Sequence, residues 1–510
     1  MMEAVERERS RTGLRLDELL RELPGVAEIV GYGGVIVHGV RQDSRAIEGG
    51  ELFVARKGGK VDGVRFAADA VARGAAAIMA GRGAVDPRAM GVPVILVEDP
   101  ATALAYAAAA IYGQPSFALD VVGITGTNGK TTTTHLVRAA VDGALGRPSC
   151  GVLGTVGYSF GDWHVPAEHT TPEADLLSRT MADMRVRGAT HVAMEVSSHA
   201  LELERVRAVR FRVAALTNLT QDHLDFHGTM AAYARAKARL FTELGPGAAV
   251  LNVDDAFGRD LSTHIRARCV RVSACVGADA EIAPRDASWD ARGVTATVTT
   301  PSGDVPLVSR LMGRHNLENL LLALGVAHAL ELDLDRAAAA LSAEPGAPGR
   351  LERCDTSQDD IVVVVDYAHT PDALARALDA VRIVGTGRLG CVFGCGGDRD
   401  PSKRVAMGEA VGRRADFAIV TTDNPRGEDP RAIAEVVAAA VRAGGLEPAI
   451  ELDRRKAIAA AVRFASEGDL VLIAGKGHEN YQIVGSAKLP FDDRLEARRA
   501  LEARRALGEV

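Results

Sequence analysis

Continuous apolar runs that end in polar or glycine-rich residues recur along this 510-residue chain, and they limit its possible folds more than any other feature. The runs include VVGITG, HVAMEV, FRVAALTNL, AAVLNVDD, IVVVVDYAHT, RLGCVFGCGG, DFAIVTTDNP and DLVLIAGKG. Strands that are apolar throughout are buried on both faces, so the pattern predicts an α/β fold whose parallel sheets are covered by helices. Open sheets of this kind bind ligands at the carboxyl ends of their strands, which makes the polar residues after each run candidate site residues.

The chain length and two breaks in the pattern predict three domains. A length of 510 residues allows three domains at roughly 100–200 residues each, with two or four as alternatives. A Gln-Pro-Ser break near residue 118 and a GAPGR stretch near residue 347 mark the boundaries. We therefore expect domains at 1–118, 119–346 and 347–510.

Charge and composition exclude several classes of protein. A net charge of -7 is small for this length and argues against a general nucleic-acid binder. The N-terminal MMEAVERERSR lacks the apolar core of a signal peptide, and no run approaches the ~20 apolar residues of a membrane span. Cys391 and Cys395 could form a metal-ligand pair, but their place on an apolar strand and the following glycine loop favours buried free thiols. We expect a protein of the reducing cytoplasm, with a solvated helix formed by the repeated LEARRA at the tail.

A glycine-rich loop between a strand and a helix, GTNGKT at 126–131, predicts a phosphate site. Glycines let backbone N–H groups approach phosphate oxygens, and the N-terminus of the helix adds favourable partial charge. Lys130 can reach the outer phosphates and the Thr131 hydroxyl can bind Mg²⁺. The four threonines at 131–134 are poor helix openers, and such a local conflict often marks function. A glycine-rich turn that binds no ligand is the alternative.

Carboxylates and imidazoles follow the next strands. Glu195 ends one apolar run, where a satisfied buried polar group is the alternative to a functional one. The polar residues after the following run are Asp222, His223, Asp225 and His227. Four such residues within six positions, close to a phosphate loop, indicate a metal-binding or catalytic role, although a structural role stays open. Mg²⁺ prefers oxygen ligands, which Thr131 and Glu195 supply, whereas ligand preference alone does not assign His223.

Several of these motifs resemble a known family. TGTNGKTTT is similar to the ATP loop of the Mur ligases and of the related folylpolyglutamate synthetases. VDYAHTPDAL (365–374), GCGGDRDPSKR (394–404), TTDNPRGEDP (421–430) and AGKGHE (474–479) resemble, in this order, the third domain of the Mur ligases that add the third amino acid. The chain is thus identified as a member of this family over nearly its whole length. The resemblance implies an N-terminal α/β UDP-binding domain, a central P-loop ATPase-like domain with a parallel or mixed sheet, and a C-terminal Rossmann-like domain.

The resemblance also implies a reaction and its partners. The implied activity is ATP-dependent ligation of meso-2,6-diaminopimelate to the D-glutamate γ-carboxylate of UDP-MurNAc-L-Ala-D-Glu, through an acyl phosphate, in peptidoglycan precursor synthesis. It implies Mg²⁺ as cofactor, ATP as co-substrate and a monomer that binds neither nucleic acid nor membrane. Two alternatives stay open: a lysine-adding or folylpolyglutamate-forming sister ligase, and a non-catalytic ATP-binding switch or scaffold.

The resemblance assigns roles around the phosphate loop. The implied ATP-binding residues are Gly126, Thr127, Asn128, Gly129, Lys130, Thr131, Thr132 and Asn316. The implied catalytic residues are Lys130, Glu195, His223 and Lys237, and the implied metal ligands are Thr131, Glu195, His223 and Lys237. Lys237, in AKARLF, matches a lysine that is carbamylated in the family. An ammonium would repel nearby Mg²⁺, whereas a carbamate is anionic and offers oxygen ligands.

The nucleotide-sugar end rests on shorter motifs. Asp43-Ser44-Arg45 and the following ELFVARKG resemble the UDP-binding domain of the family. The implied contacts to the UDP-muramoyl substrate are Ser44, Thr170, Thr171, Ser197 and Arg205. The chain departs from the family pattern at His169, where asparagine is frequent, at Leu203, where glutamine is common, and in DGVRF, where DGH is common. These departures put individual contacts in doubt.

The amino-acid end carries the implied substrate choice. The implied diaminopimelate contacts are Arg399, Asp423, Asn424, Pro425, Arg426, Gly475 and Glu479. Diaminopimelate differs from lysine by one extra carboxylate, which an arginine fork such as that of Arg426 can bind with two hydrogen bonds. A site built for such a group can reject an analogue that lacks it by ~10⁴-fold. A surface ion pair, worth ~0–1 kcal/mol, is the alternative for Arg426.

Overall fold

The computed structural model describes residues 13–58, 61–290, 293–383 and 385–508. These residues form an α/β protein with largely parallel sheets, so the predicted fold class is confirmed. The chain divides into two compact units. Unit 1 holds the described residues of 1–283, 300–303 and 319–340; unit 2 holds those of 284–299, 304–318 and 341–510. This division leaves the predicted boundaries near 118 and 346 as predictions.

The first part of unit 1 is a five-stranded sheet in the order β2-β7-β6-β5-β4, in which only β2 runs antiparallel to its neighbour. Leu52 and Val54 of β5 face one apolar cluster and Phe53 faces another, so helices cover both sides of the sheet. Short 3₁₀ helices lie at Ser44–Ala46, Gly63–Phe66 and Pro87–Ala89. The elements are β1 (Leu14–Arg15), α1 (Leu16–Glu22), β2 (Glu28–Val30), β3 (Ile36–Val37), β4 (Val40–Arg41), β5 (Leu52–Ala55), α2 (Ala67–Ala72), β6 (Ala77–Gly81), β7 (Val94–Val97), α3 (Pro100–Ile111) and α4 (Pro115–Ala118).

The second part of unit 1 is an eight-stranded sheet in the order β11-β10-β9-β12-β8-β13-β14-β15. Six strands are parallel, and β10 and β11 add an antiparallel edge. The elements are β8 (Asp120–Thr125), α5 (Lys130–Leu145), β9 (Cys150–Gly154), β10 (Gly157–Phe160), β11 (Trp163–Val165), α6 (Ala174–Val186), β12 (His191–Glu195), α7 (Ser198–Glu202), β13 (Val213–Leu216), α8 (Leu224–His227), α9 (Met230–Thr242), β14 (Ala248–Asn252), α10 (Ala256–His264) and β15 (Arg268–Val272).

The register of this sheet aligns the carboxyl ends of its central strands. Glu195 of β12 lies opposite Ile124 of β8, and Leu216 of β13 lies opposite Thr125. The phosphate loop, Glu195 and the segment after Leu216 therefore leave the sheet at the same edge. This confirms the sequence argument that polar residues after the apolar runs are brought together.

The chain then crosses between the two units. A three-stranded sheet follows, in the order β16-β17-β18. Helix α11 begins in unit 2 and ends in unit 1, and α12 begins in unit 1 and ends in unit 2. The elements are β16 (Ala283–Asp290), β17 (Gly293–Thr300), β18 (Gly303–Ser309), α11 (Arg314–Ala329) and α12 (Leu334–Ala343).

The rest of unit 2 is a six-stranded sheet in the order β19-β20-β24-β21-β22-β23, in which only β19 is antiparallel. Leu374, Met407 and Val437 fill the core on one side, and Ile458 and Leu501 fill it on the other. The elements are β19 (Glu352–Arg353), β20 (Val362–Asp366), α13 (Pro371–Ile383), β21 (Leu389–Phe393), α14 (Ser402–Gly412), β22 (Phe417–Val420), α15 (Pro430–Ala443), β23 (Ala449–Ile450), α16 (Arg454–Phe464), β24 (Leu470–Ala474), β25 (Tyr481–Val484), β26 (Ala487–Pro490) and α17 (Asp493–Gly508).

Three expectations from composition can be compared with this fold. Cys391 and Cys395 are buried free thiols, as predicted. The tail forms a helix, but it is not fully solvated, because Ala497 and Leu501 are buried in the core of unit 2. In the described part of the chain no helix has both the length and the apolar character needed to span a bilayer. The N-terminal segment used to exclude a signal peptide lies outside the described residues.

Candidate active site

The phosphate loop leaves β8 at Gly126 and enters α5 at Lys130, as the sequence predicts. Gly126 has a φ of 142°, and a side chain there would collide with the Thr217 hydroxyl. Gly129 has a φ of 83°, and a Cβ there would lie 2.5 Å from Asn319 Oδ1. Both positions therefore require glycine, for backbone conformation and for space.

The segment after β13 holds the loop in place. Thr127 N–H donates to Asn218 O at 2.8 Å, and Asn128 N–H donates to the Asn218 side-chain oxygen at 3.0 Å. The Thr127 hydroxyl donates to Thr220 O at 3.0 Å. Since the loop conformation is fixed by these bonds, little order has to be imposed when a phosphate binds.

Two lysines converge on one carbonyl of the loop. Lys130 Nζ donates to Gly126 O at 2.9 Å and to Thr127 O at 3.0 Å. Lys237 Nζ, from α9, donates to the same Gly126 O at 2.8 Å and lies 4.5 Å from the Tyr233 ring centroid. Lys237 is only 1% exposed, and burial together with the Lys130 charge holds the pKa of its amine well below the usual value. Lys130 is thus the cation at the loop that suits phosphate, whereas Lys237 is a buried amine whose charged form is disfavoured.

Glu195 is the buried carboxylate at this edge. Its side chain accepts hydrogen bonds from Thr155 N–H at 2.8 Å and from the Thr155 hydroxyl at 3.3 Å. The Thr155 and Thr170 hydroxyls lie 3.1 Å apart, which places the first of the two predicted threonines in the same cluster. Thr155 was not predicted, because it follows a strand whose end carries no charged residue.

Thr171, Ser197 and Arg205 also come together. The Thr171 hydroxyl donates to Glu195 O at 2.9 Å and accepts from Ser197 N–H at 3.0 Å. Arg205 donates to Thr171 O at 3.0 Å and pairs with Glu173 at 2.6 Å. The predicted substrate residues from the central sheet therefore form one connected group beside Glu195.

The structure adds three charged residues that the sequence did not single out: Arg56, Glu173 and Asp69. Arg56, just after β5, pairs with Glu173 at 2.7 Å, so Arg56 and Arg205 share this carboxylate. Ser44 is buried and donates to Asp69 at 2.8 Å. Two of the positions that depart from the family pattern can also be placed. Leu203 follows the last residue of α7 and is 38% exposed. The backbone carbonyl of His169 accepts a hydrogen bond from the Tyr158 hydroxyl at 2.9 Å.

The predicted histidines belong to a cluster of rings. His223 has a left-handed backbone with a φ of 50°, and its ring centroid lies 4.9 Å from that of His199. His227 Nε2 lies 2.9 Å from the Ser198 hydroxyl, and burial lowers the pKa of both His199 and His227. Asp222 lies 3.7 Å from His223 Nε2. His199 was missed because a single histidine after a strand carries little signal.

The donor chemistry of this edge fits Mg²⁺. Thr131 opens α5 and offers a hydroxyl, and Glu195 offers a carboxylate from the neighbouring strand end; both are hard oxygen donors. Over the described ranges, no three or more His, Cys, Asp or Glu side chains are grouped to hold a metal ion. An ion here would be held by the Glu195 carboxylate and the Thr131 hydroxyl together with phosphate oxygens and waters, a ligand set that is usual for Mg²⁺.

The remaining predicted ATP residues divide between the units. Thr132 lies in the first turn of α5 and is half-buried. Asn316 is buried in unit 2, where its amide donates to Met312 O at 2.9 Å. Asn319, one turn later and in unit 1, accepts from the Thr133 hydroxyl at 3.2 Å. Asn319 thus contacts the first turn of α5, next to the phosphate loop.

Unit 2 holds a polar cavity of about 520 Å³ at the carboxyl ends of its parallel strands. The predicted residues that line it are Arg399, Asp423, Asn424, Arg426, Gly475 and Glu479. Pro425 instead lines a separate cavity of about 410 Å³. Tyr367, His369 and Lys403 also line the first cavity. Their motifs were recognised, but single residues within polar loops cannot be ranked before the loops are placed.

Arg426 stands in an unusual backbone position, with a φ of 51°. Its N–H donates to Ile483 O at 3.3 Å, and its own carbonyl accepts from Gly485 N–H at 2.8 Å. The guanidinium donates to Gly397 O at 2.8 Å, which aims it along the cavity wall. The predicted alternative, a surface ion pair, does not describe this arrangement, because the guanidinium contacts shown are backbone carbonyls.

An acidic corner lies in the same cavity. Asn424 Nδ2 donates to Glu479 at 3.2 Å, and the ammonium of Lys476 donates to Asn424 Oδ1 at 2.9 Å. Asp423 is 8% exposed, and its buried Oδ1 lies 3.3 Å from the Lys476 ammonium. Cationic and anionic groups therefore line one cavity, as the recognition of a zwitterion requires.

Comparison with known protein families gives three matches along the chain. Residues 36–112 match the model of the Mur ligase family catalytic domain, residues 124–327 match the Mur ligase middle domain, and residues 349–477 match the Mur ligase glutamate ligase domain.

Curated proteins match over nearly the full length. A UDP-N-acetylmuramoyl-L-alanyl-D-glutamate--2,6-diaminopimelate ligase of Gloeobacter violaceus is 44% identical over 503 residues, which cover 97% of this chain and 99% of that protein. The protein of the same name from Geobacter metallireducens is also 44% identical, with 97% and 100% covered. A solved structure of an enzyme with this name is 33% identical, has a TM-score of 0.69, and covers 96% of this chain and 99% of its own.

Proposed function

Because the chain belongs to the Mur ligase family, we propose that it joins meso-2,6-diaminopimelate to the D-glutamate γ-carboxylate of UDP-MurNAc-L-Ala-D-Glu, using ATP. The protein is an amide-forming ligase, as its curated relatives are. The product is the tripeptide precursor of peptidoglycan. This proposal agrees with the expectation drawn from the sequence motifs.

The observation that carries this proposal is the charge pattern of the cavity in unit 2. Diaminopimelate has an ammonium and a carboxylate at each end, so the end that does not react is itself a zwitterion. Arg426 and Arg399 can bind its carboxylate, and Asp423 and Glu479 can bind its ammonium. Lysine would leave the arginine fork without a partner, and such an unpaired buried group costs affinity.

The phosphate loop of unit 1 supports ATP as the co-substrate. Its glycines and the N-terminus of α5 suit the phosphates. Lys130 is the loop cation that would stabilise the negative charge of the phosphoryl group during its transfer. Thr131 and Glu195 would hold Mg²⁺, which when bound would neutralise phosphate charge. Arg205, with the threonine hydroxyls beside Glu195, suits the anionic UDP-muramoyl substrate.

The chemistry then proceeds in two displacements. An oxygen of the γ-carboxylate forms a bond to the terminal phosphorus of ATP while the bond to the bridging oxygen breaks, which gives an acyl phosphate and ADP. The free amine of diaminopimelate next attacks the acyl carbon, inorganic phosphate leaves, and the amine loses a proton. Lys130 stabilises charge in the first displacement, and no protein nucleophile takes part.

Lys237 is proposed to carry a carbamate. Its amine is buried beside Lys130, which lowers its pKa, so the neutral form that reacts with CO₂ is more populated than in an exposed lysine. The carbamate would be anionic and would therefore attract Mg²⁺, which an ammonium would repel, and it would add oxygen donors beside Gly126 of the phosphate loop. His223, from the neighbouring ring cluster, would complete the ligands of a second Mg²⁺.

The proposal extends to organisation. We propose three domains divided near residues 118 and 346, supported by the gaps between the three matched family segments. We further propose that the protein acts as a monomer in the cytoplasm, where its nucleotide substrates are made.

The decisive experiment measures phosphate release from ATP and product mass in the presence of UDP-MurNAc-L-Ala-D-Glu. Parallel reactions contain meso-diaminopimelate, L-lysine or no amino acid, and Lys130→Ala serves as the variant without the loop cation. We expect turnover with diaminopimelate and a product heavier by one diaminopimelate residue. Preference for lysine would contradict the assignment of the Arg426 cavity, and nucleotide binding without any turnover would favour a non-catalytic switch.

A further inference from the structure

Lys476 is a fully buried cation directly behind the acidic corner, and the proposed mechanism does not use it. It follows β24 within the AGKGHE motif and is 0% exposed, and it does not line the cavity. We propose that Lys476 is a positioning residue that shapes the acidic corner into a receptor for the ammonium of diaminopimelate that does not react. This inference rests on the proposed function and names a determinant of its specificity.

The contacts of Lys476 are directed at the three cavity residues of the corner. Its Nζ donates to Asn424 Oδ1 at 2.9 Å and to Tyr481 O at 2.8 Å. It lies 3.3 Å from Asp423 Oδ1 and 3.6 Å from Glu479 Oε2. The Asn424 oxygen also accepts from Ile483 N–H at 2.8 Å, and together the two donors turn the amide N–H₂ toward Glu479, which accepts from it at 3.2 Å. One ammonium thus contacts both carboxylates and the amide.

The charge balance of the corner points to a single cationic ligand. Asp423 and Glu479 carry two negative charges and Lys476 carries one positive charge, so the group has one negative charge in excess. Two other buried arginines leave this balance unchanged, because Arg404 is paired with Glu428 at 2.8 Å and Arg454 with Asp493 at 2.6 Å. The buried oxygen of Asp423, Oδ1, is the one that lies 3.3 Å from Lys476 Nζ, so this carboxylate is held by the ion pair and accepts no closer hydrogen bond there. A substrate ammonium would supply the missing positive charge.

The two amines of diaminopimelate have different requirements. The amine that attacks the acyl phosphate must lose its proton, and an anionic receptor would hold it as ammonium. The other amine remains protonated and gains from such a receptor. The acidic corner therefore suits the non-reacting end, whose carboxylate can reach Arg426 in the same cavity.

The test compares two substrates on the same enzyme preparations. meso-Diaminopimelate has the non-reacting amine, whereas 2-aminopimelate keeps both carboxylates and lacks that amine. We would measure kcat and KM for both with wild type, Lys476→Met and Lys476→Gln. Lys488→Met is the matched control: Lys488 lies 3.7 Å from the ring centroid of Tyr481, but it is exposed. The ratio of kcat/KM between substrates does not depend on the folded fraction, so it is informative even if a variant folds poorly.

In both Lys476 variants we expect the preference for meso-diaminopimelate to fall by roughly 10- to 100-fold, as the loss of charged hydrogen bonds would produce, mainly through KM. Turnover of 2-aminopimelate should change little, and Lys488→Met should behave as wild type. An unchanged ratio, or an equal decline for both substrates, would overturn the role of Lys476. Wild type that fails with meso-diaminopimelate would instead overturn the proposed function.

Discussion

Arg426 combines a charged fork with a left-handed backbone, a conformation that non-glycine residues rarely adopt. Such outliers often occur at functional sites, where the surrounding structure holds them in place. Here Ile483 of β25 and Gly485 of the following turn do so, through hydrogen bonds to the N–H and the carbonyl of Arg426. The residue is therefore fixed at its backbone, and its side chain remains available for a ligand.

We predict that Arg426→Lys lowers kcat/KM for meso-diaminopimelate by about 10- to 100-fold, mainly through KM, because one point charge replaces a two-bond fork. Steady-state kinetics with saturating ATP measures this. Arg431→Lys, an exposed arginine in the first turn of α15, is the control and should not change KM. Wild-type kinetics for Arg426→Lys would remove Arg426 from the carboxylate site.

Lys237 gives a second prediction, which depends on the form of its amine. Since burial lowers its pKa, its neutral fraction at pH 8 exceeds that of an exposed lysine, and it should react with CO₂. Protein equilibrated with ¹³C-bicarbonate should show a carbamate carbon signal that Lys237→Met lacks and exposed Lys456→Met keeps. A wild-type signal that persists in Lys237→Met would place the carbamate elsewhere.

Residues inside strong motifs could be predicted from the sequence, and their partners could not. Lys130 and Arg426 follow apolar runs and Glu195 ends one, and the structure places them at or beyond the carboxyl ends of β8, β22 and β12. Arg56 and Lys476 act through contacts with residues over 100 and 50 positions away. Such contacts arise only when sheet order and register are fixed, and neither follows from local pattern.

At the level of elements, the ion pair between Arg454 and Asp493 joins the first turns of α16 and α17. Both side chains are 0% exposed, with nitrogen and oxygen 2.6 Å apart, and Arg454 also donates to Ala474 O at 3.0 Å. The terminal helix is thereby tied to the end of β24, immediately before Gly475 of the cavity. This explains why the tail is packed against the core.

We predict that Asp493→Asn destabilises unit 2 by about 3–5 kcal/mol, because a buried guanidinium loses its counter-charge. The corresponding loss in Tm would be on the order of 10 °C, measured by circular dichroism. The double variant Arg454→Met, Asp493→Leu removes both charges and should recover part of this loss. Equal destabilisation in the single and double variants would mean that the pair acts through packing and not through charge.

Parallel strands were easier to predict than antiparallel ones. The buried strands β8, β12 and β24 have continuous apolar runs. Strand β16, with the sequence APRDASWD, is exposed over much of its length and has no such run. The hairpin of β25 and β26, which positions Arg426, is half-exposed to exposed and was likewise not predicted. Strands on a surface have weak hydrophobic patterns, so their pairing is specified by neighbours that the sequence does not reveal.

At the level of the whole molecule, the phosphate loop lies in unit 1 and the amino-acid cavity lies in unit 2. Each ligand should therefore stabilise the unit that binds it. We predict two calorimetric transitions, one raised by ADP with Mg²⁺ and the other by meso-diaminopimelate. At 100 times its Kd a ligand adds ~2.7 kcal/mol, which is enough to separate the transitions.

A variant can assign the two transitions. Lys130→Ala should abolish the shift caused by ADP and leave the shift caused by diaminopimelate intact. A single transition that responds to both ligands would show that the units unfold together, and it would contradict independent stabilisation.

The main-chain frame around Arg426 has an evolutionary consequence. Because backbone atoms of β25 and of the turn after it hold this position, the identity of the side chain can change while these hydrogen bonds remain. A single amino-acid substitution at this position could therefore change which amino acid the enzyme accepts. The left-handed backbone narrows the available choices, since β-branched residues are strained there and glycine or asparagine are not. Natural variation at this position should therefore avoid β-branched side chains, even where the charge of the side chain changes.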